Sequence, residues 1–217
     1  MFSPSHASLL RLRPSRRLEV RAQDAVEWAA MHRPQKPAIA LLELDSIARA
    51  LRTGDAMVKR AEVEVAYAGP VSPGKYLILV TGFEAEVEES WLAGKADAGD
   101  HLVDSLFLPG AHEAAVSAVH GVTRTLGDDL SLGVLETRTV SAAIVACDTA
   151  VKTTDVDVLE MRLGKGIGGK GVFTLSGAQS DVEAALEAAL ISIEDRRAVI
   201  AHELIPRPDP LFGGGLR

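Results

Sequence analysis

With one cysteine in 217 residues, Cys147, the chain is excluded from several chemistries. No disulfide can form within the chain, and no cysteine set from one chain can hold a metal. The setting "AAIVACDTA" is apolar and helical in spacing, which fits a small buried hydrophobe in a reducing cytoplasm. Aromatic residues are scarce too, at 4% of the chain. The core must therefore be Ala, Val, Leu and Ile, which suits close packing of helices on sheets. Basic charge is in deficit: 23 Lys and Arg face 30 Asp and Glu, for a net −7, where a nucleic-acid binder would show a basic face. Nowhere do about eighteen apolar residues run together, so no segment reads as a membrane-spanning helix. The six histidines include no HExxH and no pair at ligand spacing on one helix. No serine stands in a G-x-S-x-G elbow. Nothing here points to an enzyme or a resident metal.

What the chain does contain is apolar material, 47% of residues, enough for two compact units. Residues 1–36 stand apart: "MFSPSHASLLRLRPSRRLEV" is rich in Arg and Ser and poor in acid. They read as a flexible extension, with one short amphipathic helix over 17–32, the alternative being an organellar transit peptide.

Glycine is concentrated in "GKGIGGKG", residues 164–171. Gly164-x-Gly166-x-x-Gly169 has the spacing of a dinucleotide-binding turn, and Gly164 to Lys170 is a P-loop lacking its Ser or Thr. Both motifs need a strand before the glycines and a helix after them, whose N-terminal amides meet the anion. Here "VDVLEMRL" precedes and "VFTLSG" follows, both strand-like. The glycines instead permit close approach of backbone to something else.

The chain is also a repeat. "ALLELDSIARALRTGDAMVKRAEVEV" (40–65) aligns with "GVLETRTVSAAIVACDTAVKTTDVDV" (133–158). Glu43 falls on Glu136, Asp55 on Asp148, Val58 on Val151 and Lys59 on Lys152. Beyond a two-residue length difference, Gly74-Lys75 falls on Gly169-Lys170 and "EVEES" on "DVEAA". Leu108-Pro109 then falls on Ile205-Pro206. This is a tandem duplication of a module of roughly 75–80 residues, joined around 121–129. Each copy reads β-α-β-β-α-β, with Asp45 or Ser46 capping the first helix. The expected class is α+β: two split βαβ modules, antiparallel-rich sheets with helices on one face. The expected division is an extension over 1–36, a first domain over 37–124 and a second over 125–217. Glu43 and Glu136, repeated on the first strand of each copy, are more consistent with structural hydrogen bonding than with a paired-carboxylate site.

"GDAMVKRAEVEV", "PVSPGKYLILVTG" with "EVEES", the second "GIGGKG" and the closing "IPRPDP" together resemble tandem-domain bacterial microcompartment shell proteins of the trimer-forming class. The resemblance spans about residues 37–212. It implies ferredoxin-like modules, a homotrimer shaped as a flat pseudohexamer, and lateral packing with hexameric shell proteins around enclosed enzymes. It implies further that Val71, Ser72, Pro73 and Gly74, with Lys165, Gly166, Ile167 and Gly168, line a central pore that passes small polar metabolites. Lys59, Lys152 and Arg207 match the residues that meet a neighbouring tile. Gly110 stands where the first copy would carry its arginine. One relative of this class grips an iron–sulfur cluster through a cysteine in the first loop. Ser72 fills that slot here, and a neutral hydroxyl is a poor substitute for thiolate, so no cofactor is expected. The competing reading is a trimeric small-molecule sensor of similar fold, since fold alone does not fix function.

Overall fold

The computed structural model describes residues 37–127 and 130–209. The extension over 1–36, its helix over 17–32 and the last residues, 210–217, lie outside the described residues. In the first module β1 (Pro37–Leu44), α1 (Ile47–Arg60), β2 (Glu64–Val71), β3 (Lys75–Phe83), α2 (Glu84–Ala98) and β4 (Leu102–Leu108) follow in order. A further helix, α3 (Glu113–Val119), leads to the second module. There β5 (Ser131–Thr137), α4 (Val140–Thr153), β6 (Asp157–Leu163), β7 (Gly171–Gly177), α5 (Gln179–Ser192) and β8 (Val199–Ile205) repeat the pattern. The sheets run β2-β3-β1-β4 and β6-β7-β5-β8, every pairing antiparallel.

Local chemistry explains the boundaries. Ser46, not Asp45, caps α1, its Oγ accepting from the Arg49 amide at 3.3 Å. Thr139 does the same for α4 through the Ala142 amide. Each removes one orphan donor from a helix start, worth about 1 kcal/mol.

Apart from Glu43, the strand β1 is apolar throughout because both its faces are covered. Ala38, Ala40, Leu42 and Leu44 join Ile78, Val80, Ala50, Met57 and Val87 in the core under α1 and α2. Ile39, Leu41, Leu77 and Leu79 face the other way, into a single cluster with α3 and with α4 of the second module. The expectation of helices on only one face of each sheet is therefore corrected for the first module. Its second face is closed by α3 and by the other copy. α3 itself was not anticipated: the sequence reading placed no element between Pro109 and Gly121. Ala115, Ala118 and Val119, all buried, do carry the helical i, i+3, i+4 spacing.

Candidate functional site

The glycine-rich segment is a hairpin loop between β6 and β7, with no helix behind it. It closes on itself: the Gly164 amide donates to the Lys170 carbonyl at 2.8 Å, and the Gly169 amide to the Gly164 carbonyl at 3.1 Å. Gly164, Gly166, Gly168 and Gly169 all hold φ between 69° and 79°, where other residues are strained. Two of them also face a neighbour. A Cβ on Gly164 would lie 2.9 Å from Cγ1 of Val71, and one on Gly169 would lie 2.8 Å from the Ser72 carbonyl oxygen. The loop of the second module thus rests, backbone first, on the loop of the first. Ser72, Pro73, Gly74, Lys165, Gly166 and Gly168 remain exposed at the joined tips and Ile167 is half-buried. Val71 is 5% exposed and belongs to the shared core.

Behind each tip sits the same ion pair. Lys75, next to Gly74, bonds to Glu43, whose side chain is buried. Lys170, next to Gly169, meets Glu136 Oε1 at 2.7 Å. Removing a carboxylate from water is costly unless a cation or donors meet it, so each lysine makes its glutamate tolerable on a central strand. The repeated glutamates are accounted for as supports of the loops.

The lysines near the helix ends differ. Lys59 Nζ reaches Asp55 at 2.6 Å, both side chains being exposed. Lys152 Nζ reaches Asp148 at 2.5 Å, and that carboxylate is buried, its other oxygen accepting from the His112 amide at 2.7 Å. One pair lies free on the surface, while the other is tied to the segment joining the modules. Arg207 is the one non-glycine among the described residues at positive φ, 45°, and Gly110 in the equivalent place holds φ 60°. The two copies keep the same left-handed turn after their last strands, with glycine in one and arginine in the other.

A surface the sequence reading missed comes from the same comparison. In the second module Val140, Ile144, Val151 and Val158 are at most 7% exposed, within the cluster that joins the copies. Their counterparts in the first module, Ile47, Leu51, Val58 and Val65, are 47%, 60%, 46% and 44% exposed. The signal was present: α1 carries apolar residues on two faces, one under the sheet with Ala50 and Met57 and one facing solvent.

The residues at the loop tips do not suit an iron–sulfur cluster. Ser72 offers a hydroxyl. Cys147 is fully buried on α4, where burial pushes its thiol pKa up, away from the thiolate a metal needs. Among the described residues no three His, Cys, Asp or Glu side chains gather as a metal set, and no helix is long and apolar enough to cross a membrane.

Two sheets of this topology in tandem, each with its loop at one end, define a class. The BMC domain model matches residues 38–111 and 131–208, and the chain belongs to that family. More particularly, it is 37% identical over 171 residues to the bacterial microcompartment shell protein PduT of Citrobacter freundii, covering 79% of this chain and 92% of that protein. The crystal structure of a microcompartment protein from Desulfitobacterium hafniense superposes with a TM-score of 0.77 at 38% identity, over 82% of this chain and 98% of that one. A fused, permuted hexameric shell protein from another microcompartment gives 0.54 at 25% identity, over 74% and 83%.

Proposed function

We propose that this chain is a structural tile of a bacterial microcompartment shell, in which three copies close into a ring of six modules. The observation that carries the ring is the unpartnered face Ile47, Leu51, Val58 and Val65. Its equivalents in the second module are already covered within the chain, so a neighbouring copy that offers its second module would cover this face by the same kind of contact. Such a contact is head-to-tail, and head-to-tail contacts close into rings when the rotation permits. Burying four half-exposed aliphatic side chains contributes roughly 1 kcal/mol each per junction.

In that ring the exposed tips, Ser72, Pro73 and Gly74 with Lys165, Gly166, Ile167 and Gly168, converge on the axis as the lining of a pore. Its selectivity follows from width, hydrogen-bonding groups and field. Ser72 hydroxyls and three Lys165 ammonium groups favour small polar and anionic metabolites. Lys59, Lys152 and Arg207 mark the outer edges, where the tile meets hexameric shell proteins. Because Gly110 replaces the arginine in the first module, only alternate edges carry both lysine and arginine, which orients the tile among its neighbours. The role is architectural, not enzymatic, and the comparisons do not favour the sensor reading.

Native mass by light scattering tests the ring. Three times the chain mass of 23.0 kDa, with hexagonal particles in the electron microscope, is the expected result. A monomer at micromolar concentration overturns it.

A further inference from the structure

The contact that joins the two modules inside the chain shows what a junction between chains has to supply. Along it, β4 of the first module lies beside α4 of the second. Asp104 accepts from the Ser141 hydroxyl at 2.5 Å. Beside this bond a cavity of about 660 Å³ remains, with half-buried Leu106, Val145 and Ser192 in its wall. The repeat gives the residues that take these places where the second module of one copy meets α1 of the next. Leu106 opposes Leu41 and Glu203 opposes the equivalent Val134, so Glu203 stands for Leu106 and Ala201 for Asp104. Arg52 stands for Val145, Ala48 for Ser141 and Asp97 for Ser192. The hydrogen bond of the inner junction is thus absent from the outer one. Three neutral side chains around the cavity are exchanged for two carboxylates and a guanidinium.

We propose that Glu203 of one copy pairs with Arg52 of the next, so that charge closes the junction between copies where apolar contact and a hydrogen bond close the one inside the chain. The inference rests on the ring reading and names a polar contact within it. Both side chains are exposed in the single chain, and Glu203 has no bonded partner among the described residues. Glu203 lies on the sheet face away from α5. Its neighbour Leu204 opposes Gly133, where an added Cβ would meet Val182 and Leu186 of that helix. Arg52 is held from behind by Asp97 at 2.9 Å, and Asp97 also accepts from the Thr53 hydroxyl at 3.0 Å. That support orders the guanidinium and leaves other N–H groups of its planar fork free for a second carboxylate. A space like that at the inner junction has room for both long side chains. The pair also sets direction. If α1 packed on the first module of another copy, Arg52 would meet Leu106. If α4 of another copy packed on the second module, Glu203 would meet Val145. Each wrong joining leaves a charge unpaired, and only the second module against α1 satisfies both.

Sedimentation of the full chain over a dilution series tests the pair, with Glu203→Arg, Arg52→Glu and the double reversal beside wild type. Glu183→Arg, at an exposed position on α5, controls for net charge. Circular dichroism first establishes that each variant is folded. The expected result is a trimeric wild type whose dissociation constant per junction rises about tenfold or more (about 1.4 kcal/mol) in each single reversal. It returns toward wild type in the double reversal and does not move in the control. Arg52→Glu sets a second carboxylate beside Asp97. If that chain does not fold, a graded loss from wild type through Glu203→Gln to Glu203→Arg, with Glu183→Arg unchanged, carries the same decision. Single reversals as tight as wild type, a double reversal no tighter than either single, or a control weakened equally overturn the pair, while a trimeric wild type leaves the ring standing. A wild type that is monomeric at micromolar concentration overturns the ring reading and the pair with it.

Discussion

The first helices of the two modules, α1 and α4, occupy equivalent places and meet different surroundings. Along α4, Val140, Ile144 and Val151 are sealed within the cluster that joins the copies, and Asp148 is buried with two bonds to its carboxylate. Along α1 the matching Ile47, Leu51 and Val58 face solvent, and Asp55 binds only the lysine one turn on. Duplication supplied the same pattern twice, and connectivity consumed one copy of it. What the pattern is for can be read from the copy that is satisfied. The one left open is the face that the proposed ring would cover, since monomeric proteins seldom leave such apolar strips exposed.

The sharpest way to break this comparison is a charge in each face. Ile144→Asp buries an unpaired carboxylate and should cost about 4 kcal/mol or more, so that the chain fails to fold cooperatively by circular dichroism. Leu51→Asp should leave the melting temperature of the isolated chain nearly unchanged and reduce the native mass from three chains to one. Equal effects at the two positions would show that α1 is not the counterpart of α4.

The loops sharpen it next. Gly169→Ala forces a side chain into left-handed backbone and against the Ser72 carbonyl, while Gly168→Ala meets nothing within 4 Å. Urea unfolding should show about 3 kcal/mol lost for the first and about 1 kcal/mol for the second. The excess measures the contact between the loops of the two copies.

A smaller contrast comes from the aspartates. Asp148→Ala leaves the His112 amide and Lys152 without their partner, for an expected loss of about 2 kcal/mol. Asp55→Ala should change stability by less than about 0.5 kcal/mol, as exposed pairs do. A last contrast lies at the turns after β4 and β8. Gly110→Arg should cost about 1 kcal/mol and Arg207→Gly should return a similar amount, because the positions hold φ of 60° and 45°. Thermal melts of the pair would show opposite shifts.

Several features were legible before any coordinates. Periodicity gave the β-α-β-β-α-β order of both modules, because strict alternation and 3.6-residue spacing leave few other solutions. The strand on either side of "GKGIGGKG" excluded a phosphate cradle on local grounds alone, and the β6–β7 hairpin agrees. The repeat located the recurring lysines and glutamates, and the fold joins them as Lys75 with Glu43 and Lys170 with Glu136. α3 escaped notice because seven residues, five of them alanine or valine, carry little signal without the surface they cover.

By itself the sequence determined the duplicated α+β module, the places of its loops and the absence of a thiolate at the first loop, because these depend on neighbours along the chain. Only the tertiary structure decided which copy of each apolar face is spent inside the chain. It alone placed Gly164 on Val71 and Gly169 on the Ser72 carbonyl, and it alone left the space between β4 and α4 unfilled. Those outcomes depend on how far two distant backbones can approach and on the volumes of side chains far apart in sequence, and no local pattern encodes either quantity.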